Sequence, residues 1–261
     1  MISYPNISPE IVRIGPFAVR WYGMMYLIGF VSSYLLVKYQ ITKKVVELDS
    51  EQVYSLYLYL IIGLVAGARL GYIFFYDVSL YLKHPLDIFA VWRGGMSFHG
   101  GLLGCIIAGI LACRKYRINF WQMSDLLIVT APIGLGLGRI GNFINGELYG
   151  RVTDVPWGMV FPSGGPLPRH PSQIYEFCLE GVVLFTILWI LKDKTLKAGI
   201  LLSVFLLLYG VFRFSMEFFR EPDPQLGFII GPFSIGQLLS SIMIFIGIGV
   251  FYLRIRTEKG V

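Results

Sequence analysis

Charged residues are scarce in this chain of 261 residues. They occupy only 15% of its positions, whereas hydrophobic residues occupy 56%. A soluble domain usually carries a charge at about a quarter of its positions. This composition argues against a soluble globule and predicts a polytopic membrane protein, because each helix that crosses a bilayer needs roughly 20 apolar residues.

Cysteine and histidine are also rare, with three residues of each type. Cys105, Cys113 and Cys178 lie in or at the ends of apolar segments and show neither CxxC nor metal-ligand spacing, which argues against a disulfide scaffold and a zinc site. We therefore expect no metal and no cofactor. The first twenty residues lack the apolar core of a cleavable signal peptide, so we expect the first span itself to direct insertion.

Seven apolar segments are suitable for membrane spans. They cover about residues 20–37, 53–76, 97–113, 124–141, 173–191, 198–219 and 234–253. The predicted fold class is an all-α membrane protein with seven transmembrane helices. We predict one polytopic membrane domain over 1–261, in which 142–172 forms a small extracytoplasmic head segment, since that loop is rich in proline, asparagine and glycine.

The basic residues indicate the orientation of these spans. The net charge is +6, but Lys and Arg are dispersed in short clusters and do not form one polar face, which argues against a nucleic-acid partner. Short basic loops lie at 38–44, 114–117, 192–197 and 254–259. Since cytoplasmic loops retain positive charge, the N-terminus is predicted outside and the C-terminus in the cytoplasm.

Ionisable residues collect at the predicted outer ends of the spans. Arg20 and Arg220 suit simple anchoring, because long basic side chains reach the headgroups from helix ends. Arg69 and Arg213 lie about two turns inside their spans, and His99 is a poor anchor. Charged groups inside a membrane usually face an interior or a water-filled cavity. We therefore favour a polar cavity that opens outward over simple anchoring.

Several local patterns leave two interpretations open. Tyr209, Arg213, Glu217 and Arg220 share one helical face, which suits either an Arg213–Glu217 pair or an anion site at Arg213. His99 stands between two glycine pairs and is either a structural or a catalytic histidine.

Glycine patterns in the spans are interpreted as packing features. The run Gly136–Gly141 matches GxGxxG, but it does not follow a strand, so a dinucleotide site is rejected. Gly63, Gly67 and Gly71 are expected to allow close approach of a neighbouring helix.

Taken together, the motifs resemble those of the prolipoprotein diacylglyceryl transferases along nearly the whole chain. They are RWYG at 20–23, GARLGY at 67–72, FHGGLLG at 98–104, GRIGNFINGELYG at 138–150, RHPSQIYE at 169–176 and YGVFRFSMEFFREPD at 209–223. The resemblance implies seven spans and an active site at the outer face of the bacterial cytoplasmic (inner) membrane. It also implies transfer of a diacylglyceryl group from phosphatidylglycerol to the lipobox cysteine in a prolipoprotein signal peptide.

The resemblance also suggests roles for individual residues. Arg139 and Arg213 are assigned to the lipid phosphate, since arginine forks suit phosphate oxygens. His99 is assigned as the base that deprotonates the thiol, or else as a residue that orients a helix or the glyceryl group. The remaining assignments are headgroup contacts by Asn142, Glu147 and Gly150, hydrogen bonds from Tyr22 and Tyr209, and architectural roles for Arg69 and Glu217.

A phospholipid transporter or flippase is the alternative function. The same arginines would then form a transient headgroup site, and no new covalent bond would be made.

Overall fold

The protein is described here by a computed structural model that covers residues 2–256, apart from 6, 16, 44–47, 77, 91–93, 195, 222–227 and 231–232. Most of these residues are helical. Within them, four helices are long and apolar enough to cross a membrane, and a fifth span results if one bent helix pair is counted as a single crossing. The prediction of a helical, polytopic membrane protein is confirmed in this form. The count of seven spans and the orientation stay predictions.

Each of the seven predicted segments contains helix. The helices are α1 (Trp21–Thr42), α2 (Ser50–Tyr76), α3 (Val78–Lys83), α4 (Phe98–Tyr116), α5 (Phe120–Ile128), α6 (Ala131–Ile144), α7 (Ser172–Glu176), α8 (Leu184–Leu191), α9 (Ile200–Met216) and α10 (Ile235–Arg256). A π-helix, Phe177–Val183, joins α7 to α8, and a 3₁₀ turn covers Pro85–Phe89. Helices are expected here because backbone groups in an apolar medium must be satisfied within the segment.

The segment predicted as one span at 124–141 is broken. Helices α5 and α6 meet at an angle of 40°. Pro132 lies in the first turn of α6, where its missing N–H costs no helical hydrogen bond. The Thr130 hydroxyl donates to the Leu127 carbonyl at 2.8 Å and lies 2.7 Å from the Ser33 hydroxyl, so polar groups at the break are satisfied.

The chain divides into two compact units. One is Lys38–Met123, and the other, called here the larger unit, combines Met1–Val37 with Ser124–Val261. In the Lys38–Met123 unit, α2 packs against α4 through small residues. A Cβ atom on Gly71 would lie 2.7 Å from the Gly100 Cα, and one on Gly67 would lie 2.8 Å from the Gly104 Cα. The two backbones therefore approach closely, which confirms the packing interpretation of the α2 glycines.

Arg69 connects α2 to the segment that precedes α4. Its guanidinium donates to the carbonyls of Ile88 at 2.9 Å, Gly94 at 2.5 Å and Asp87 at 2.5 Å. The residue is only 4% exposed. Backbone carbonyls thus satisfy a charge that would be costly in an apolar environment.

The larger unit carries short strands that the sequence analysis did not predict. They are β1 (Ile2–Ser3), β2 (Glu10–Ile14), β3 (Phe17–Arg20), β4 (Met159–Val160), β5 (Phe228–Ile230) and β6 (Phe233–Ser234). β2 and β3 form an antiparallel hairpin with Gly15 at φ 58°, a conformation that glycine adopts without strain. β1 pairs in parallel with β4.

The residues around β4 form a packed head. Phe161 is fully buried, and its ring centroid lies 5.1 Å from that of Tyr4. The Tyr4 hydroxyl donates to the Phe143 carbonyl at 2.5 Å. Arg169 donates to the Gly164 carbonyl at 2.8 Å and forms an ion pair with Glu221 at 3.1 Å. The N-terminal residues therefore pack on the segment that was predicted as the head.

Candidate functional site

Six charged side chains in the larger unit form one buried ion-pair network, called here the arginine network. Its members are Arg139 on α6, Glu176 on α7, Glu180 in the π-helix, Arg213 on α9, and Glu217 and Arg220 just after α9. Three guanidinium groups therefore face three carboxylates. Such groups are rare inside membrane proteins and usually mark a functional site.

Glu176 is the residue that the three arginines share. Its Oε2 lies 2.7 Å from the Arg139 Nε, and its Oε1 lies 3.3 Å from Nη1 of Arg213 and 3.6 Å from Nη1 of Arg220. The Glu176 side chain is 1% exposed, while that of Arg139 is 17% exposed. The carboxylate is thus buried in the interior, while the side chains of its arginine partners remain partly exposed.

Glu180 was not among the predicted site residues. Its Oε2 lies 3.2 Å from Nη2 of Arg139, and its side chain is fully buried. The sequence contained a signal for this residue, because Glu180 is an acid four positions after Glu176 in an otherwise apolar run. Residues four apart share a helix face, and an acid at that depth requires a partner.

Glu217 has two well-defined partners. Nη2 of Arg213 donates to its Oε1, so the ion pair that was one of the two interpretations of this spacing is present, and the anion site at Arg213 stays a prediction. The Ser234 hydroxyl donates to its Oε2 at 2.6 Å. Arg151 lies against the same turn, since its Nε donates to the Arg220 carbonyl at 3.0 Å and its Nη2 to the Glu217 carbonyl at 3.3 Å. Ser234 and Arg151 are further contacts that the sequence analysis did not predict.

Close packing of two helices positions the acidic residues. A Cβ atom on Gly181 would lie 2.9 Å from the Gly136 Cα, so α6 and the π-helix touch at these glycines. Gly136 belongs to the GxGxxG run, and helix packing accounts for it, as predicted. The π-helix covers Phe177–Val183 and therefore includes Glu180. Segments of this kind are rare and often occur at functional sites.

Asn142 and Glu147 meet at the junction between α6 and the head. The Asn142 Nδ2 donates to the Glu147 Oε1 at 2.9 Å, and the Asn145 Nδ2 donates to the same oxygen at 3.1 Å. The Glu147 carbonyl accepts from the Gln173 Nε2 at 2.7 Å. These contacts hold the exposed Glu147 carboxylate in place just after the end of α6.

Gly150 has a backbone role in the head. Its N–H donates to the His170 carbonyl at 2.8 Å, and its backbone pairs with that of Arg220. A Cβ atom there would lie 2.8 Å from the His170 carbonyl oxygen. Any side chain at this position would therefore push the head away from the end of α9.

The two predicted tyrosines lie at different places. Tyr22 lies in the first turn of α1, beside Gly141. A Cβ atom on Gly141 would lie 2.9 Å from the Tyr22 ring. The Tyr22 hydroxyl lies 3.2 Å from the Tyr26 hydroxyl. Tyr209 lies on α9 one turn before Arg213. It is close enough to Arg139 and Glu180 to interact with both electrostatically.

His99 belongs to the Lys38–Met123 unit. It lies in the first turn of α4 and is exposed. Ser97 caps this helix by accepting from the Gly100 N–H at 3.3 Å. The structure brings Arg139 and Arg213 together with Tyr209 and pairs Asn142 with Glu147, and Tyr22 interacts electrostatically with both Arg139 and Glu147.

The arrangement can bind an anion. Arg139 on α6 and Arg213 on α9 share one carboxylate, and each guanidinium has more donors than its acidic partners occupy. Arginine pairs of this kind suit the oxygens of a phosphate group. Among the described residues, no group of three His, Cys, Asp or Glu side chains has a geometry that would hold a metal ion.

Comparison with known proteins agrees with the motifs. A sequence model of the family "Prolipoprotein diacylglyceryl transferase" matches residues 9–253. A protein of Geobacter sulfurreducens is 52% identical over 259 residues, which cover 99% of this chain and 100% of the relative. A relative from Coxiella burnetii is 52% identical over 248 residues, which cover 95% of this chain and 95% of the relative. A relative from Legionella pneumophila is 47% identical over 255 residues, which cover 97% of this chain and 100% of the relative. All three are named phosphatidylglycerol–prolipoprotein diacylglyceryl transferase.

Proposed function

Because the chain belongs to the prolipoprotein diacylglyceryl transferase family, we propose that it transfers the sn-1,2-diacylglyceryl group of phosphatidylglycerol to the thiol of a lipobox cysteine. The acceptor is the signal peptide of a prolipoprotein, and the reaction is the first step of lipoprotein maturation. The relatives' names supply the donor and the class of acceptor. The chemistry of a thioether product requires a thiol in the acceptor.

The reaction places two demands on the site. The sulfur attacks a glyceryl carbon, a C–S bond forms and the C–O bond to the phosphate breaks. The thiol loses its proton. Glycerol phosphate is the leaving group, and an additional negative charge develops on the phosphate oxygen that was bonded to the glyceryl carbon. A base is therefore needed for the thiol, and cationic donors are needed for the departing phosphate.

The buried arginine network is the observation that carries this proposal. Arg139 and Arg213 hold the phosphate, since their guanidinium groups both contact Glu176. Both side chains are partly exposed, at 17% and 15%, so an anion can reach them while the acidic partners stay buried. Preorganised charges in an apolar setting stabilise a developing anion more strongly than they would in water.

The remaining site residues bind the glycerol headgroup or orient the arginines. The Asn142–Glu147 contact lies at the end of α6, where hydroxyl groups of the headgroup would find both a donor and an acceptor. Gly150 leaves room for the backbones of His170 and Phe219 to pack closely in the head. Tyr22 and Tyr209 supply hydrogen bonds at the membrane side, and Glu217 holds Arg213.

His99 acts as the base for the thiol. Imidazole is the side chain best suited to accept a proton near neutral pH. His99 lies at the start of α4 and is exposed, so that a substrate group can reach it within its own unit.

The chain forms a single polytopic membrane domain of the bacterial inner membrane with seven spans. The four long helices provide four crossings, and the bent α5–α6 pair provides a fifth. Helix α4 and the 17-residue α9 are the sixth and seventh. The basic loops support an outside N-terminus and a cytoplasmic C-terminus. Under this orientation, the arginine network and the head segment 142–172 face the outer side.

A reconstituted assay tests the reaction directly. Purified protein is incubated with labelled phosphatidylglycerol and a lipobox peptide, and the peptide is analysed by mass spectrometry. A diacylglyceryl thioether on the cysteine, absent with a Cys→Ser peptide, supports the transferase. Lipid movement across the bilayer without such an adduct would instead support a flippase.

A further inference from the structure

Glu180 has the fewest partners of the three carboxylates in the arginine network. Glu176 contacts three arginines, and Glu217 contacts Arg213 and Ser234, whereas Arg139 is the only ionic partner of Glu180 in the part of the chain that the structure describes. The Glu180 Oε1 is buried and has no hydrogen-bond partner among the described residues. One oxygen of this acid is thus an unused acceptor in the interior.

The charges that surround Glu180 are balanced. Arg139 on α6 pairs with it directly, Arg213 and Tyr209 on α9 interact with it electrostatically, and Glu176 lies one turn before it along the chain. Two guanidinium groups therefore compensate two carboxylates. A further anion at this place would leave an excess negative charge in apolar surroundings, which is strongly unfavourable.

We propose that Glu180 takes up one proton when a lipid phosphodiester binds to Arg139. The phosphate competes with Glu180 for the same guanidinium, and the carboxylate becomes a neutral acid with its new proton on Oε1 or Oε2. Only an O–H bond forms, and the proton comes from solvent. The charge gained with the phosphate is thereby compensated, and Arg139 becomes available to the substrate.

Glu180, and not its neighbours, is the acceptor of this proton. Three guanidinium groups stabilise the anionic form of Glu176, while an arginine and a serine hydroxyl stabilise that of Glu217. Glu180 has a single ionic partner, and the lipid competes for that partner. It is therefore a positioning residue that acts through Arg139. This inference rests on the proposed function, because it requires a phosphodiester at Arg139.

Calorimetric titration of the full-length protein with short-chain phosphatidylglycerol tests the proposal. Titrations at several pH values around neutrality, each in two buffers of different ionisation enthalpy, measure the protons taken up on binding. We expect close to one proton per lipid, so that Kd rises by up to about tenfold for each unit of pH. The phosphodiester keeps one charge over this range, so the dependence reports on the protein.

Two variants assign the proton. Glu180→Gln should bind lipid with a Kd that hardly changes with pH, whereas a merely structural role would change the affinity without changing the pH profile. Glu51→Gln, at an exposed glutamate in the first turn of α2, should keep the wild-type uptake. Equal uptake by wild type and Glu180→Gln would overturn the proposal.

A measurement on the wild-type protein avoids the risk that Glu180→Gln does not fold. Infrared difference spectra should show a carboxylic acid carbonyl band that appears when the lipid is added. Lipid binding with neither this band nor proton uptake would overturn the inference and leave the transferase function intact. A protein that binds no phosphatidylglycerol and forms no thioether would overturn both.

Discussion

The Nε atom of Arg139 lies 2.7 Å from Oε2 of Glu176, and this contact joins α6 to α7 through a carboxylate that is 1% exposed. The other oxygen of Glu176 contacts Arg213 and Arg220. Charges that share one buried partner act as a unit. Substitutions in the arginine network should therefore affect substrate binding and stability together, to an extent that depends on which charge is left without a partner.

Arg139→Lys should lower the rate of diacylglyceryl transfer by at least about 100-fold, because a lysine ammonium cannot pair with two glutamates and also offer a planar fork to phosphate. The thioether assay measures this rate. Arg256→Lys, at the end of α10, is the matched control and should retain wild-type activity. Near-normal transfer by Arg139→Lys would remove this residue from the phosphate site.

Glu176→Gln should destabilise the protein by about 3–5 kcal/mol, since three guanidinium groups would lose their common anion while remaining largely buried. Thermal unfolding of the purified protein in detergent measures the effect. Glu221→Gln removes a carboxylate that is 44% exposed and paired with Arg169, and it should cost less than about 1 kcal/mol. Equal costs for the two variants would contradict a central role for Glu176.

His99→Gln should lower the transfer rate and change its dependence on pH, because a general base works only in its deprotonated form and the glutamine amide cannot accept the thiol proton. The pH dependence of kcat/KM measures this effect with the lipobox peptide as the varied substrate. His84→Gln, at an exposed position before the 3₁₀ turn, is the control and should keep the wild-type profile. An unchanged profile in His99→Gln would exclude this residue as the obligatory base.

Gly104→Ala should destabilise the Lys38–Met123 unit by about 1–3 kcal/mol, since a methyl group would overlap the backbone of α2. Its Cβ atom would lie 3.0 Å from the Gly67 Cα. Gly109→Ala on the same helix is the matched control, because its nearest neighbour would be the Met123 Cε at 3.7 Å. That variant should be neutral or slightly stabilising, and thermal unfolding of both proteins distinguishes the two sites.

The head should lose stability in acid through His170. Burial lowers the pKa of this imidazole below its usual 6.5, while Asp154 partly offsets the shift. Since the folded-state pKa is the lower one, protonation favours the unfolded state. The stability of the head is retained above about pH 6.5 and declines as the pH falls through the folded-state value. Hydrogen exchange of the head amides would measure this decline, which His170→Gln should reduce.

Apolar segments and charge spacing predicted much of the fold. The last predicted span, 234–253, overlaps α10 over nearly its whole length, and the Arg213–Glu217 pair follows from a spacing of four residues. These features are local, because helix periodicity and the length of an apolar run reside in consecutive residues. The bend between α5 and α6 was not predicted, although Pro132 lies beside it.

The part of the site that was missed depends on contacts between distant segments. Glu180 is 41 residues from Arg139, and Tyr4 reaches Phe143 across 139 residues. The sequence around Glu180 does not identify Arg139 as its partner, and the sequence around Tyr4 does not identify Phe143. The predicted roles of Asn142, Glu147 and Gly150 likewise depend on how the head folds back on the end of α6.

The sequence alone determined that this protein is a helical membrane protein of a recognisable transferase family, because hydrophobic length, helix periodicity and short motifs are encoded in adjacent residues. Only the tertiary structure decided which charges compensate one another. The packing of Gly136 on Gly181 brings α6 against the π-helix, and this contact sets the distance from Arg139 to Glu176 and Glu180. An ion pair depends on the separation of two atoms in space, and that separation exists only after the helices have packed.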